Sequence, residues 1–225
     1  MNQHHQTQNY DTGREILKWI ALITMTIDHT GAVLFPGYEL LRVIGRLSFP
    51  IFGYLIVLGV ESTRNVRNYF LRLFLFALIS QVPFYLALGY PPFESLNIFF
   101  TLSFGILSLT NPLMMAVSFF ASALLNFDYN VYGIALIIMM RILKNNTKHG
   151  VISLIVLNSI FIFIYPIQIL SLLALPIIIL YKNGSLNIER AANESRLKKS
   201  LRKYLFYSYY PIHLTVLYII KSYII

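Results

Sequence analysis

The sequence contains no cysteine and few charged residues. Without cysteine the chain has no disulfide, no thiolate zinc site and no cysteine nucleophile. Only 12% of its 225 residues are charged, about half the usual share in a soluble domain. So little charge is typical of a chain whose surface faces lipid, and no polar stretch is long enough to predict a separate soluble domain.

Hydrophobic residues make up 57% of the chain, and the mean hydropathy is +0.65. A helix needs about 20 residues to cross a bilayer, and the alternating pattern of membrane strands is absent. We predict an all-α, polytopic integral membrane bundle of about nine transmembrane helices, within a range of about eight to ten. Residues 1–14 are predicted to be a polar cytoplasmic tail and residues 15–225 a single transmembrane domain. The expected spans lie near 16–36, 40–60, 70–89, 96–110, 112–127, 130–143, 151–164, 166–181 and 204–224.

The basic residues predict the orientation of these spans. A cytoplasmic N-terminus places all 18 lysines and arginines on the cytoplasmic side except Arg42, Arg46 and Lys221. The positive charge is then a topology signal and an attraction to anionic lipid headgroups, and we predict no nucleic-acid partner. Residues 188–203 have a helix-forming composition and a basic end, so we expect them to lie along the membrane surface.

Ionisable residues inside predicted spans are costly in lipid, so each is a candidate functional residue. Asp28 and His29 lie in the first span, about 18 Å along a helix from Ile16. Arg46 lies roughly 9 Å below the outer end of the second span. The short connection 36–39 makes these two helices antiparallel neighbours, so Arg46 and Asp28 are predicted to reach a similar depth.

Other groups are predicted to converge on the same region. Arg42 lies one turn before Arg46 on the same face, and Pro50 is expected to kink the helix just below Arg46. In the last span, His213 lies about 13 Å along the helix from the end of the span next to Lys203. Two histidines, one acid and two arginines therefore gather in the central and outer part of the predicted bundle.

Two interpretations of this cluster are open. In the first, Asp28 and Arg46 are an ion pair that locks two helices, and His213 donates to a carbonyl that Pro211 has freed. In the second, the cluster is catalytic. Histidine with aspartate suits proton abstraction from a hydroxyl or amine, and arginine suits an acyl oxyanion or a phosphate.

Motifs of other enzyme classes are absent from the sequence. There is no G-x-S-x-G, H-E-x-x-H, P-loop or G-x-G-x-x-G pattern, which disfavours a serine hydrolase, a zinc protease and a nucleotidase. The residues of the cluster fit acyl transfer from a bound donor, and we predict no metal.

Several stretches resemble the F-type pilin acetylase (TraX) family. They include LKWIALITMTIDHTGAVLFP, LLRVIGRLSFPIFGYLIVLGV, LNIFFTLSFGILSL, the DYNVYG box and YLFYSYYPIHLTVLYII. The resemblance covers most of residues 14–222, and IDH-x-G and GR-x-x-FP-x-F are its more specific boxes. The family's motif positions are held here by Asp28, His29, Arg42, Arg46, Asn97, Asp128, Tyr210 and His213.

The resemblance implies a polytopic protein of the bacterial cell membrane that carries acetyl from cytoplasmic acetyl-CoA to an acceptor in or across the membrane. The founding member acetylates the N-terminus of a membrane-embedded pilin subunit. For this chain we expect an acetyltransferase of the acyl-CoA-dependent kind, with acetyl-CoA as the donor. Its acceptor is left open as a protein or a glycan.

The expected roles follow from this interpretation. His29 is the general base, Asp28 or a neighbouring group orients it, and Arg46 with Arg42 polarises the thioester carbonyl or holds a phosphate. His213 is the second candidate base. The substrate- or cofactor-binding candidates are Asn97, Asp128 and Tyr210, with cytoplasmic Arg64, Arg67, Lys199 and Lys203 for the nucleotide end of coenzyme A.

Two other functions are kept as alternatives. One is a small multi-pass transporter or flippase, since buried His, Asp and Arg also form substrate and proton sites. The other is a non-catalytic membrane subunit of a conjugation or secretion apparatus. Transfer of acetyl would support the enzyme, ligand-dependent flux would support the transporter, and neither would support the non-catalytic subunit.

Overall fold

The chain folds into helices joined mostly by short connections. The computed structural model describes residues 11–92, 94–164, 166–186 and 196–223. Within these ranges the structure is helical and has no strand apart from an isolated bridge between Leu96 and Phe127. The helices are α1 (Thr12–Leu34), α2 (Glu39–Gly45), α3 (Ser48–Ser62), α4 (Val66–Leu88), α5 (Ile98–Ser108), α6 (Pro112–Leu124), α7 (Asn130–Asn145), α8 (Thr147–Phe161), a 3₁₀ segment (Pro166–Ala174), α9 (Leu175–Lys182) and α10 (Arg196–Tyr223).

Asparagine side chains start several of these helices. Asn65, Asn97, Asn111 and Asn146 each accept a hydrogen bond from a backbone N–H in the first turn of α4, α5, α6 and α8. Such a cap satisfies an N–H group that has no partner within the helix. The starts of these helices are therefore local properties of the sequence.

The second predicted span is two helices rather than one kinked helix. α2 ends at Gly45, and α3 begins at Ser48 with Pro50 in its first turn. Pro50 has no N–H to donate to the carbonyl of Arg46, four residues earlier. The break therefore comes before the proline, where we had expected a kink below Arg46.

Two further expectations are corrected by the described residues. Residues 196–203 are the start of α10, which runs without a break to Tyr223, so they are not a separate surface helix. Residues 188–195 of that prediction lie outside the described residues. The eighth predicted span starts as a 3₁₀ segment, in which Gln168, Ser171 and Ala174 are buried at intervals of three, the period of that helix type.

Helices α3 and α5 form the centre of the bundle. Most of their residues are buried, including small polar ones such as Thr101 and Ser103. α3 packs against α1, α5 and α7, while α5 packs against α4, α6 and α7. α10 packs against α4 and α1, which places the last helix beside the first.

Helix α6 has its polarity reversed relative to a helix of a water-soluble protein. Its buried residues are Ser118 and Ser122, and Ser118 donates 2.9 Å to the carbonyl of Phe104 on α5. Its large apolar residues, Leu113, Val117, Phe120 and Leu124, are exposed. Small polar residues inside and large apolar residues outside are what a lipid-facing helix shows, whereas a soluble helix buries its apolar face.

Length supports membrane crossing for part of the chain. The stretches Glu39–Ser62, which includes the break between α2 and α3, and Val66–Leu88 are long and apolar enough to span a membrane. The apolar helices Ile98–Ser108, Pro112–Leu124, Thr147–Phe161 and Pro166–Lys182 are shorter than the roughly 20 residues of a full crossing. The all-helical prediction is confirmed for the described residues, and the polytopic one stays a prediction.

One end of the bundle gathers basic residues that the sequence predicts to be cytoplasmic. Arg14, in the first turn of α1, donates 3.2 Å to the hydroxyl of Ser62 at the end of α3. Lys144, near the end of α7, lies 2.6 Å from Glu61. We call this the inner end.

Candidate active site

Two histidines from the first and last helices meet inside the bundle. Nδ1 of His29 on α1 is 2.7 Å from Nε2 of His213 on α10, and Nδ1 of His213 is 2.9 Å from the carbonyl oxygen of Tyr209. A carbonyl only accepts, so in the neutral pair Nδ1 of His213 carries a proton and its Nε2 accepts from Nδ1 of His29. The lone pair of His29 is then on Nε2, as a general base requires.

Asp28 pairs with arginines and not with the histidines. Its Oδ1 is 2.9 Å from Nη2 of Arg46, and its Oδ2 is 2.8 Å from Nη1 of Arg42. The predicted convergence of these three residues is confirmed. Successive residues on a helix point about 100° apart, and within the described residues Asp28 makes no hydrogen bond to His29. The group that orients His29 is His213.

Arg46 is engaged by the protein on all three of its nitrogens. Besides the bond to Asp28, its Nε donates 3.2 Å to the carbonyl of Arg42 and its Nη1 3.3 Å to Oε1 of Gln168. Its guanidinium carbon lies 5.8 Å from the centre of the Tyr129 ring. A guanidinium held in this way positions Asp28, and the carbonyl polarisation that we had expected of Arg46 stays a prediction.

Gly45 lets the carboxylate of Asp28 approach the second helix. A Cβ atom at this position would lie 2.1 Å from Oδ1 of Asp28, inside van der Waals contact. Any side chain here would displace the carboxylate from the arginines. The glycine of GR-x-x-FP-x-F is therefore part of the site, although it has no reactive group.

A cavity lies beside these groups, and we call it the central cavity. Its polar wall is formed by Asp28, His29, Asp128, Tyr129 and Tyr210. The apolar remainder includes Leu22, Met25, Phe52, Leu102 and Phe206. A polar wall opposite apolar side chains suits a ligand with a reactive polar group on an apolar body.

The hydroxyl of Tyr210 is free to bind a ligand in the central cavity. Tyr210 is 2% exposed, and its hydroxyl has no hydrogen-bond partner among the described residues, although the backbone of Ile98 lies near it. A buried polar group without a partner costs about 1–3 kcal/mol. A ligand that accepts a hydrogen bond from this hydroxyl would remove that cost.

Asp128 and Tyr129 reach the central cavity from the turn before α7. The backbone N–H of Asp128 donates 2.7 Å to the carbonyl of Leu96, and Thr101 donates its hydroxyl proton to the carbonyl of Asp128. Tyr129 has a left-handed φ of 62° and stacks on Phe49 with ring centres 4.1 Å apart. Burial raises the pKa of Asp128 to about 6.

Asn97, one of the predicted binding residues, uses its side-chain amide for hydrogen bonds within the protein. Its Nδ2 donates to the carbonyl of Ala77 at 2.7 Å and to Oε1 of Gln81 at 2.6 Å. Its Oδ1 accepts from the N–H of Phe99 at 3.0 Å. The structure gives Asn97 a capping role at the start of α5, and a ligand role for it stays a prediction.

The candidates for the nucleotide end of coenzyme A are spread over the inner end. Arg64 and Arg67 are exposed. Lys203 is partly buried with its Nζ 4.9 Å from the centre of the Tyr204 ring. The side chain of Lys199 lies outside the described residues.

Sequence reasoning missed three contributors to the site. Tyr129 follows Asp128 directly, but its left-handed backbone is a tertiary feature. Gln168 lies more than a hundred residues from Arg46 in the chain, in a segment predicted as α-helix. Gly45 belongs to the GR-x-x-FP-x-F box, and its position directly before Arg46 was the signal that could have indicated its role in the site.

Comparison with known proteins places the chain in a family context. The model of the TraX protein family matches residues 13–221. The probable fimbrial assembly protein FimC, serogroup H1, of Dichelobacter nodosus is 27% identical over 237 residues, covering 94% of this chain and 96% of the relative. Protein TraX of Escherichia coli K12 is 33% identical over 88 residues, covering 39% of this chain and 35% of the relative. No solved structure matches the chain.

Proposed function

The chain belongs to the TraX family, and from that premise we propose that it is a membrane-embedded acyltransferase that moves acetyl from acetyl-CoA to an acceptor amine or hydroxyl. The observation that carries the proposal is His29, held by His213 from behind, beside the free hydroxyl of Tyr210 in one cavity wall. A base and an oxyanion donor within one cavity are the two groups that acyl transfer needs.

The residues take defined roles in the proposed reaction. Nε2 of His29 removes a proton as the acceptor nitrogen or oxygen bonds to the thioester carbon. The hydroxyl of Tyr210 donates to the carbonyl oxygen while it carries negative charge. The C–S bond then breaks, and the proton passes from His29 to the coenzyme A thiolate. His213 fixes the tautomer of His29 throughout, and Arg46 holds Asp28 in the cavity wall.

Membrane location and acceptor are part of the proposal. The reversed polarity of α6 and the two long apolar stretches support a multi-pass protein of the bacterial cell membrane. A relative named as a fimbrial assembly protein supports an envelope acceptor, and we propose a protein amine such as the N-terminus of a pilin subunit.

Release of coenzyme A tests the proposal directly. The chain has no cysteine, so a thiol-reactive dye reports released coenzyme A without background from the purified enzyme. We expect thiol release from acetyl-CoA when a synthetic peptide with a free N-terminal amine is added, together with acetylation of that peptide by mass spectrometry. Ligand-driven flux without either product would instead support a transporter.

His29→Ala is the decisive variant. We expect it to fold, to keep donor affinity and to lose turnover by about 10² or more, the scale of general-base catalysis. His213→Ala should lower turnover with an unchanged KM for the donor, because the tautomer of His29 is no longer fixed. The control is His149→Ala, an exposed histidine at the start of α8, which should be unaffected. Near-normal transfer by folded His29→Ala protein would remove His29 as the base.

A further inference from the structure

Two arginines at the inner end have buried donors without a partner. Arg14 lies in the first turn of α1, and Arg72 lies on α4 about 9 Å along the helix from its start. The Nε–H of each guanidinium is buried and has no hydrogen-bond acceptor among the described residues. A charged donor left in this way is costly, so both positions suit a ligand that supplies an acceptor.

The two guanidinium groups face a common region. The guanidinium of Arg72 donates a hydrogen bond to the hydroxyl of Tyr207, and both guanidinium groups lie near the hydroxyls of Tyr69 and Tyr207. The guanidinium carbon of Arg72 lies 5.8 Å from the centre of the Tyr69 ring, and its Nε–H is the donor that stays without a partner. Lys203 interacts with Arg72 in the same way. We call these residues the Arg14–Arg72 cluster.

No described carboxylate forms an ion pair with the cluster, although the carboxylate of Asp11 accepts from the backbone N–H of Arg14 at 2.8 Å. Glu15 is the nearest acid in sequence, and it pairs with Lys18 at 2.7 Å and with Arg202 at 3.8 Å. Neither Arg14 nor Arg72 has an ion pair with a described carboxylate. Positive charge, tyrosine hydroxyls and free N–H donors together form a site for an anion with several acceptor oxygens.

The cluster is next to the central cavity. Phe206 belongs to the apolar wall of that cavity, and Tyr207 of the cluster is the following residue. The Nζ of Lys18 lies 5.6 Å from the centre of the Phe206 ring. Arg14 lies about 12 Å along α1 from Leu22 of the apolar wall, a distance that a long ligand with its body in the cavity and its anionic end at the cluster can bridge.

We propose that Arg14 and Arg72 bind a phosphate group, and that this phosphate belongs to the nucleotide end of the acyl donor. Guanidinium groups match phosphate oxygens with paired, charge-assisted hydrogen bonds. The assignment to the donor rests on the proposed function. As phosphate-binding candidates, Arg14 and Arg72 replace exposed Arg64 and Arg67, because their Nε–H groups are buried and have no described acceptor.

Binding of adenosine 3′,5′-bisphosphate tests the site without acyl chemistry. Wild type and variants are placed in nanodiscs of zwitterionic phosphatidylcholine and titrated by calorimetry. We expect Arg14→Gln and Arg72→Gln each to weaken binding by about tenfold or more. The matched control is Lys148→Gln, at an exposed position in the first turn of α8. It removes the same charge and should leave affinity unchanged.

Folding and the source of the phosphate are controlled separately. Arg72→Lys keeps the positive charge. If Arg72→Gln is folded and has lost only its contact with the phosphate, Arg72→Lys should recover part of the affinity. Equal affinity in folded wild type, Arg14→Gln and Arg72→Gln would overturn the site. If wild type binds no bisphosphate but retains phosphatidylglycerol through these arginines, measured by native mass spectrometry, the phosphate is a lipid headgroup and the donor assignment is wrong. Bisphosphate binding that depends on both arginines, in a protein without acyl transfer, would support the site and overturn only the proposed function.

Discussion

At the scale of single residues, Gly45 determines whether the ionic part of the site can form. Its missing side chain is what allows Oδ1 of Asp28 to reach Arg46. We predict that Gly45→Ala separates this pair and destabilises the fold by about 3 kcal/mol or more, the scale for breaking a buried ion pair. Thermal unfolding and turnover are the measurements. Gly37→Ala is the control, since a Cβ there meets no atom within 4 Å, and equal effects of the two substitutions would contradict the prediction.

The pKa of Asp128 gives a prediction about pH. Burial raises it to about 6, Arg46 and Arg42 oppose the rise, and Asp28 adds to it. An unfolded aspartate titrates near 4, so the stability that this group contributes is present below about pH 4 and is lost as pH rises through about 6. We predict that Asp128→Asn unfolds at a higher temperature than wild type at pH 8.

The difference between the two proteins should shrink as the pH falls from about 6 to about 4. Melting curves at pH 8, 6 and 4.5 are the measurement, and Asp128→Glu, which keeps the titrating group, is the control. A melting difference that stays constant over this range would show that the folded protein does not raise the pKa of Asp128.

Part of the site could be predicted from residues alone. Asp28 and Arg46 were found because ions are rare in apolar spans and a short connection makes their helices antiparallel. The bond between His29 and His213 was not predicted, because it depends on α10 lying beside α1. Depth along a helix follows from counting residues, whereas the facing of distant helices depends on packing over the whole chain.

At the scale of secondary-structure elements, the break between α2 and α3 sets the position of Arg46. Pro50 withdraws the N–H that would bond to the carbonyl of Arg46, and α2 ends just before that residue. We predict that Pro50→Ala lets the two helices join, turns Arg46 away from Asp28 and lowers acetyl transfer about tenfold, the scale of one charge-assisted bond. Pro83→Ala in α4 is the control, because that helix passes through its proline unbroken. Similar loss in both variants would contradict the role of the break.

The sequence predicted where helices would be present, but it did not always predict whether they would be α or 3₁₀. Each predicted span overlaps a helix of the described residues, because apolar runs and asparagine caps are local signals. The 3₁₀ segment escaped prediction, since the burial of Gln168, Ser171 and Ala174 at intervals of three is clear only once their neighbours are known. Ser171 lies 3.2 Å from the hydroxyl of Tyr132, and Gln168 donates to the same hydroxyl at 3.3 Å.

At the scale of the whole molecule, the sides that the basic residues assign to the connections agree with the packing in the structure. Positive charge alone assigned the N-terminus, the connection after α7 and the connection after α9 to one side. The structure brings them together at the inner end. The hydroxyl of Tyr181 donates 2.8 Å to Asp11, and Nζ of Lys182 donates 2.9 Å to the carbonyl of Leu143.

The side of the membrane that this end faces is the remaining prediction. We expect it to be cytoplasmic, because retained lysines and arginines mark that side and because a phosphorylated donor is made there. Reporter domains fused after Lys148 and within 182–203 should both be active in the cytoplasm, and one fused after Gly89, at the opposite end of α4, should be active outside. An external signal from either of the first two fusions would place the Arg14–Arg72 cluster out of reach of cytoplasmic acetyl-CoA. The donor would then have to come from the other side, and the proposed reaction would fail on topology alone.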